Sequence, residues 1–261
     1  MTNAAYTTQL QAGLGLIEET RKLLALWEPG MRAPELLRRA LEAGEFPRFT
    51  SRRLRNVVTE SFKPRYLVED GRPAAWLKAL APRLAASEFN QLLFVYTCRA
   101  NLVLADFVRQ VYWAAYTSGK TALGVEDARR FIIQANSEGK TFKPWSDETI
   151  TRIARYLPAC CADFGLLESG QKQVRKILPF QIEARALALL AYEFHFAGLG
   201  ENRILGHPDW ALFGLERGDV LDMFKRLALK GWWIVQAAGD VTRITWQYAS
   251  QEEVFDAIAQ G

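Results

Sequence analysis

Five cations crowd into the stretch Thr50-Ser-Arg-Arg-Leu-Arg-Asn-Val-Val-Thr-Glu-Ser-Phe-Lys-Pro-Arg65. Arg52, Arg53, Arg55, Lys63 and Arg65 stand there against a single acid, Glu60. This local excess of +4 equals the formal net charge of all 261 residues, so the rest of the chain is nearly balanced. The chemistry open to such a set is the pairing of anions. Thr50 is a good N-cap residue, and Leu54, Val57, Val58 and Phe62 recur at helical spacing. Pro64 marks where that helix is expected to stop. Arg52 and Arg53 fall in its first turn, where the positive end of the helix dipole disfavours cations. A bound anion reverses that penalty. A phosphate backbone met by a helix N-terminus and its arginines is the simplest such anion, and recognition helices of helix-turn-helix modules sit on DNA in this way. The competing reading is a solvated basic face paired with Glu35, Glu42 or Glu45.

A second basic set follows later. Ser146 caps a helix carrying Ile150, Ile153, Leu157 and Cys161 on its apolar stripe, which leaves Arg152 and Arg155 to solvent. Asp163-Phe-Gly165 closes that helix. Leu166-Leu167 and Val174 to Leu178 are expected to pair as two short strands around Ser169 to Lys172, with Lys172, Arg175 and Lys176 on the tip and second arm. A basic wing of this kind is where a winged helix touches the DNA backbone. An edge ribbon protected by charge is the alternative.

Other chemistries lack their signatures. His195 and His207 are too few and too isolated for a metal site or a histidine-based triad; His195 lies among Tyr192, Phe194 and Phe196, where a partly buried imidazole is the plain reading. No H-E-x-x-H, G-x-S-x-G or G-x-G-x-x-G string occurs. Ser118-Gly-Lys-Thr121 and Glu138-Gly-Lys-Thr141 each contain Gly-Lys-Thr. A P-loop, however, requires a glycine where this chain has Ala114 and Gln134, so Gly119 and Gly139 read as helix C-terminal caps. Cys98, Cys160 and Cys161 form no even or C-x-x-C framework and are expected as reduced, buried thiols. Neither a cofactor nor a metal is expected, and the chain reads as a non-enzyme.

The elements that would position the cations are helical. Apolar content of 49% and charged content of 24% are those of an ordinary globular protein, and a pI near 9.0 permits nucleic-acid binding without demanding it. Met1 to Gln11 lacks the pattern of a signal peptide, and Arg99, Asn101, Asp106, Arg109 and Gln110 interrupt the most hydrophobic run, Leu92 to Tyr116. A cytoplasmic protein with no membrane partner is expected. Apolar periodicity predicts helices over Thr8 to Trp27, Glu35 to Ala43 and Pro73 to about Leu84. It predicts a spine over Ser87 to Tyr116 with a break near Arg99 to Asn101, and further helices over Gly124 to Asn136, Pro179 to Gly198, Asp219 to Lys230 and Ser250 to Ala259. Trp232 to Gln236 and Val241 to Tyr248 alternate as a hairpin about Ala238-Gly239-Asp240. The fold class is mainly α: a helical bundle with helix-turn-helix and winged-helix elements and one or two short β-hairpins. Three segments are expected: a helix-turn-helix-like region over 1–70, a helical core over 71–140 and a winged-helix-like region over 141–261.

Thr50-Ser-Arg-Arg, Phe62-Lys-Pro-Arg-Tyr66, the apolar Phe89 to Phe107 segment, and Trp145-Ser-x-x-Thr149 running to Asp163-Phe-Gly165-Leu-Leu167 together resemble the BrxA family of the BREX phage-defence systems, from about residue 8 to residue 250. The resemblance implies a predominantly helical fold similar to the antitermination protein NusB. It also implies a non-enzymatic, double-stranded DNA-binding component that works with other BREX subunits. It carries no catalytic signature and transfers no functional residues. The alternatives are a protein adaptor docking through the aromatic hairpin of Trp232, Trp233, Trp246 and Tyr248, and an RNA-binding protein of NusB type.

Overall fold

Caps and apolar spacing account for most of the architecture. In a computed structural model, which describes residues 5–238 and 241–259, the chain is mainly helical with two small two-stranded antiparallel sheets among the described residues. It divides into two compact units, Met1–Lys78 with Leu93–Phe180 and Ala79–Leu92 with Gln181–Gly261. The segments 1–70, 71–140 and 141–261 are a different partition of the same chain.

The first unit opens with a 3-10 turn, Gln9–Ala12, and helix α1, Ile17–Leu26, where periodicity called for one helix from Thr8 to Trp27. Two glycines explain the interruption. A Cβ on Gly13 would lie 2.0 Å from the Leu16 side chain, and one on Gly15 would lie 2.7 Å from the Asp163 Cβ. The Gly15 N–H donates to Asp163 Oδ2 at 2.9 Å, a contact only a bare backbone reaches. Helix α2, Ala33–Ala43, runs from Pro34 at its start to Gly44, whose left-handed φ of 66° ends it.

Helix α3, Ser51–Asn56, continues without a break into a π turn, Val57–Phe62, and helix α4, Lys63–Tyr66. Pro64 therefore does not stop the helix, contrary to the sequence expectation. In a regular α-helix its ring would strike the carbonyl four residues back. Here the wider π turn precedes it, with the Lys63 N–H bonded five residues back to Val58, and the spiral opens just ahead of where the ring must fit. Leu54, Val57, Val58 and Phe62 are all buried, as their spacing requires.

Helices α5, Arg72–Leu80, and α6, Ala86–Ala100, each belong in part to both units. Asn101 ends α6, its Nδ2 donating to the Thr97 carbonyl at 2.8 Å, and the chain resumes as α7, Leu102–Phe107, a π turn Val108–Tyr112, and α8, Trp113–Thr117. The break falls where Arg99 to Asn101 suggested. No single helix among the described residues is long and apolar enough to cross a membrane; α6 and Leu102–Thr117 meet that test only together, bent by 111°. Helix α9, Val125–Ser137, and helix α10, Asp147–Asp163, pack on one another, and the Ser146 hydroxyl caps α10 by accepting from the Thr149 N–H at 3.3 Å. Cys98, Cys160 and Cys161 are all buried. Burial pushes the Cys160 thiol up to about 12, so it is inert as a nucleophile.

Strand β1, Ala122–Gly124, pairs antiparallel with β2, Val174–Lys176, in the register Ala122 to Lys176. The expected hairpin of Leu166-Leu167 with Val174 to Leu178 is reduced to one bridge, Leu167 to Ile177. Strand β1 is the main partner instead. Gly124 lets the strands close, since a Cβ there would meet the Gln173 carbonyl at 3.0 Å.

The second unit contains α11, Ala184–Phe196, α12, Glu201–Leu205, a 3-10 segment Pro208–Phe213, and α13, Arg217–Ala228. Strands β3, Trp233–Ala238, and β4, Val241–Trp246, follow, then α14, Gln251–Ile258. Trp233 pairs with Trp246 and Val235 with Ile244, which is the alternation read from sequence. Gly239 and Asp240 of the expected turn lie outside the described residues. Trp233 Nε1 donates to the Phe224 carbonyl at 2.9 Å, and the Tyr192 hydroxyl accepts from the Gln247 N–H at 3.2 Å, so both rings are buried with their polar ends satisfied.

Candidate functional site

The basic helix is built from its cap upward. Thr50 Oγ1 accepts from the Arg53 N–H at 3.2 Å, fixing the first turn of α3 and the direction in which its arginines leave the backbone. Arg52, Arg55 and Lys63 are exposed, and Arg53 is half-buried with its guanidinium 5.7 Å above the centre of the Phe49 ring. Arg52 and Arg55, three residues apart on a helix, share a face. Among the described residues, no carboxylate lies within ion-pairing distance of Arg52, Arg53, Arg55 or Lys63. The acids that offered neutralisation are engaged elsewhere or lack such a contact. Glu42 pairs with Arg38 at 3.0 Å, and Glu35 accepts from the Arg32 backbone N–H at 2.9 Å. Of Glu45 it is the backbone carbonyl that is bonded, accepting from Lys22 Nζ at 2.9 Å.

Two of the ten expected contact residues point inward. Arg65 is 3% exposed; its Nη2 donates to the Gly13 carbonyl at 2.7 Å and its Nη1 to the Gly15 carbonyl at 3.4 Å. Arg175 is 7% exposed and donates to the Glu168 carbonyl at 2.9 Å. Both guanidinium groups are buried and spend these donors on backbone carbonyls within the chain. The physical reason is Asp163 at the end of α10. Burial holds its carboxyl above the usual range, against the pull of the Gly15 N–H and of the positive charges of Arg175 and Arg65. The charges of the two arginines compensate this enclosed acid, while their hydrogen bonds tie α4 to the glycine-interrupted start of the chain and β2 to the Glu168 carbonyl.

Arg155 is exposed on α10, Lys172 is exposed and pairs with Glu168 at 2.7 Å, Lys176 is exposed on β2, and Arg152 is half-buried with its Nε enclosed. Arg155, Lys172 and Arg175 line a groove of about 1020 Å3 between the β1 and β2 ribbon, α9 and α10. The groove adds two cations that sequence reasoning missed, Lys120 and Arg129. Lys120 donates to Asp127 Oδ1 at 2.7 Å, and Arg129 lies 4.0 Å from Asp147. Burial works to raise the Asp127 carboxyl, but hydrogen bonds from Lys120 and the Gly124 N–H and the charge of Arg130 hold it below its usual range. The Ser118-Gly-Lys-Thr121 string was the only signal for Lys120. It marks a helix end, with Gly119 at φ 75°, and it delivers Lys120 to the rim of the groove through β1.

Of the aromatic residues of the C-terminal hairpin, Trp232 and Trp233 are buried, with Trp246 against Tyr192 at 4.9 Å and stacked on His195 at 4.5 Å. These rings form the core of the second unit. Among the described residues, its large exposed apolar side chains are Leu229, at 90%, and Ile234, at 54%.

Residues 4–193 match the protein-family model described as BrxA, which leaves α12, α13, the β3 and β4 hairpin and α14 beyond the matched part. No curated protein matches the chain significantly.

Proposed function

The chain belongs to the BrxA family, whose members are components of BREX phage-defence systems, and on that premise we propose that it is a non-enzymatic subunit that binds double-stranded DNA. The observation that carries this reading is the state of the α3 to α4 cations: Arg52, Arg55 and Lys63 are exposed, with no carboxylate in reach among the described residues. Unpaired guanidinium groups at a capped helix start suit phosphate oxygens, which accept two parallel hydrogen bonds. The helix order α2 then α3, with the basic helix second, is the order of a helix-turn-helix module. Arg53 stands half-buried beside the α3 cations, and Arg155, Lys172 and Lys176, with the half-buried Arg152, supply a second area of contact.

The test is fluorescence anisotropy with short duplexes of unrelated sequence. Arg52→Ala, Arg55→Ala and Lys63→Ala combined should weaken binding at least tenfold on every duplex alike, because phosphate contacts carry no sequence information. Unchanged affinity in that variant contradicts the reading.

A protein adaptor is the second reading. The indole rings that suggested it are largely internal, so the support left to it is the exposed pair Leu229 and Ile234.

A further inference from the structure

The groove bounded by β1, β2, α9 and α10 combines two kinds of wall. Lys120, Arg129, Arg155 and Lys172 stand around it against Glu126 and Asp127, and they come from three separate parts of the chain. Between them lie Tyr156, half-buried on α10, and Val174, a valine left mostly in solvent on β2. Cations converging on an aromatic and aliphatic surface fit a ligand that is anionic at one end and flat and apolar at the other. The volume, about 1020 Å3, stands at the top of the range of clefts that hold cofactor-sized molecules, roughly 300–1,000 Å3.

Charge at the rim is available for a ligand. Arg155 has no carboxylate within ion-pairing distance among the described residues. The Lys172 and Arg129 pairs are solvent-exposed, and pairs of that kind contribute about 0–1 kcal/mol, so a phosphate can displace them. Lys120 pairs with a mostly buried Asp127, which keeps Arg130 at 2.6 Å and the Gly124 N–H when Lys120 turns to a phosphate. The N-terminus of α9 contributes nothing here. Its Gly124 N–H donates to Asp127 at 2.9 Å and its Val125 N–H to the Gln173 carbonyl at 2.9 Å, so the case for an anion rests on the side chains.

We propose that this groove is a binding site for a nucleoside phosphate, its phosphates on Lys120, Arg155 and Lys172 and its base against Tyr156 and Val174. The ligand is either a free nucleotide or the phosphorylated end of a nucleic-acid strand. The site is not a P-loop: Lys120 and Thr121 precede a strand and follow a helix, the reverse of the P-loop order. The site shares Arg155 and Lys172 with the second area of duplex contact, but it does not depend on the α3 surface that carries the duplex reading.

Isothermal titration calorimetry of the full chain with ATP, in chelator, tests it. Saturable one-to-one binding is expected, with adenosine and inorganic triphosphate each at least tenfold weaker. Arg155→Ala should weaken ATP at least tenfold, and Thr151→Trp, which fills the groove without altering its charge, should abolish binding; thermal melting verifies that both remain folded. The combined Arg52→Ala and Arg55→Ala variant should bind ATP as the parent does, which separates this site from the duplex surface. A 5′-phosphorylated single strand that displaces ATP assigns the strand end as ligand, and failure to displace it assigns the free nucleotide. Absence of ATP binding, equal uptake of inorganic triphosphate, or unchanged binding in folded Arg155→Ala and Thr151→Trp overturns the proposal.

Discussion

Arginine has one chemistry and two uses in this molecule, and solvent access decides between them. Arg52 is exposed in the first turn of α3, where water, or a ligand that displaces it, satisfies its five donors. Arg65, further along the same continuous helix, reaches two carbonyls that Gly13 and Gly15 hold within range. The two should respond oppositely to truncation. Arg65→Ala strips two buried carbonyls of a charged donor and leaves Asp163 less compensated, an expected loss of roughly 2–4 kcal/mol. Arg52→Ala should fall within about 0.5 kcal/mol of the parent. Urea denaturation of both variants measures this, and equal effects would remove the distinction between inward and outward arginines. Sequence alone did not separate them. Both sit in one basic run, and the acid and glycines that draw Arg65 inward are distant in the chain.

At the scale of elements, the legible features were those with a local cause. Thr50, Ser146 and Ser250 accept from their capping N–H groups, Gly44 ends α2, and the β3 and β4 register follows the alternation of Trp233, Val235, Ile244 and Trp246. What stayed hidden depended on partners far away or on short runs. Strand β1 is three residues long, and the π turn before Pro64 leaves no periodic trace. So the groove was legible only on the α10 and β2 side, through Arg155 and Lys172, while its α9 and β1 side was missed. The packing of α11 on the hairpin makes a prediction of its own. Desolvation beside Trp246 lowers the pKa of His195 below its ordinary value, so the unfolded chain holds that proton more tightly. A depressed imidazole gives stability that is present above the unfolded pKa, about 6.5, and lost as pH falls through the folded value. His195→Phe should therefore flatten the loss of stability between neutral pH and about pH 5, relative to the parent, in denaturation followed by tryptophan fluorescence. An identical pH profile in the variant would show that the ring's burial carries no linkage.

At the scale of the whole molecule, net charge decides little and its placement decides more. A formal charge of +4 over 261 residues steers weakly, yet Arg52, Arg55 and Lys63, which pair with no carboxylate among the described residues, bring exposed positive charge together on one helical run. The family match ends at residue 193, before α12 and the hairpin, so the duplex reading rests on the matched part of the chain. Binding that works by displacing counterions has a signature that no packing role imitates. The decisive measurement is duplex affinity by anisotropy between about 50 and 200 mM salt, for the parent and for the combined Arg52→Ala, Arg55→Ala and Lys63→Ala variant. The parent should show a negative log-log slope that becomes shallower in the variant by about 2.7, which is 0.9 for each of three phosphates released. A parent that binds no duplex, or a variant with the parent's slope, would contradict the account.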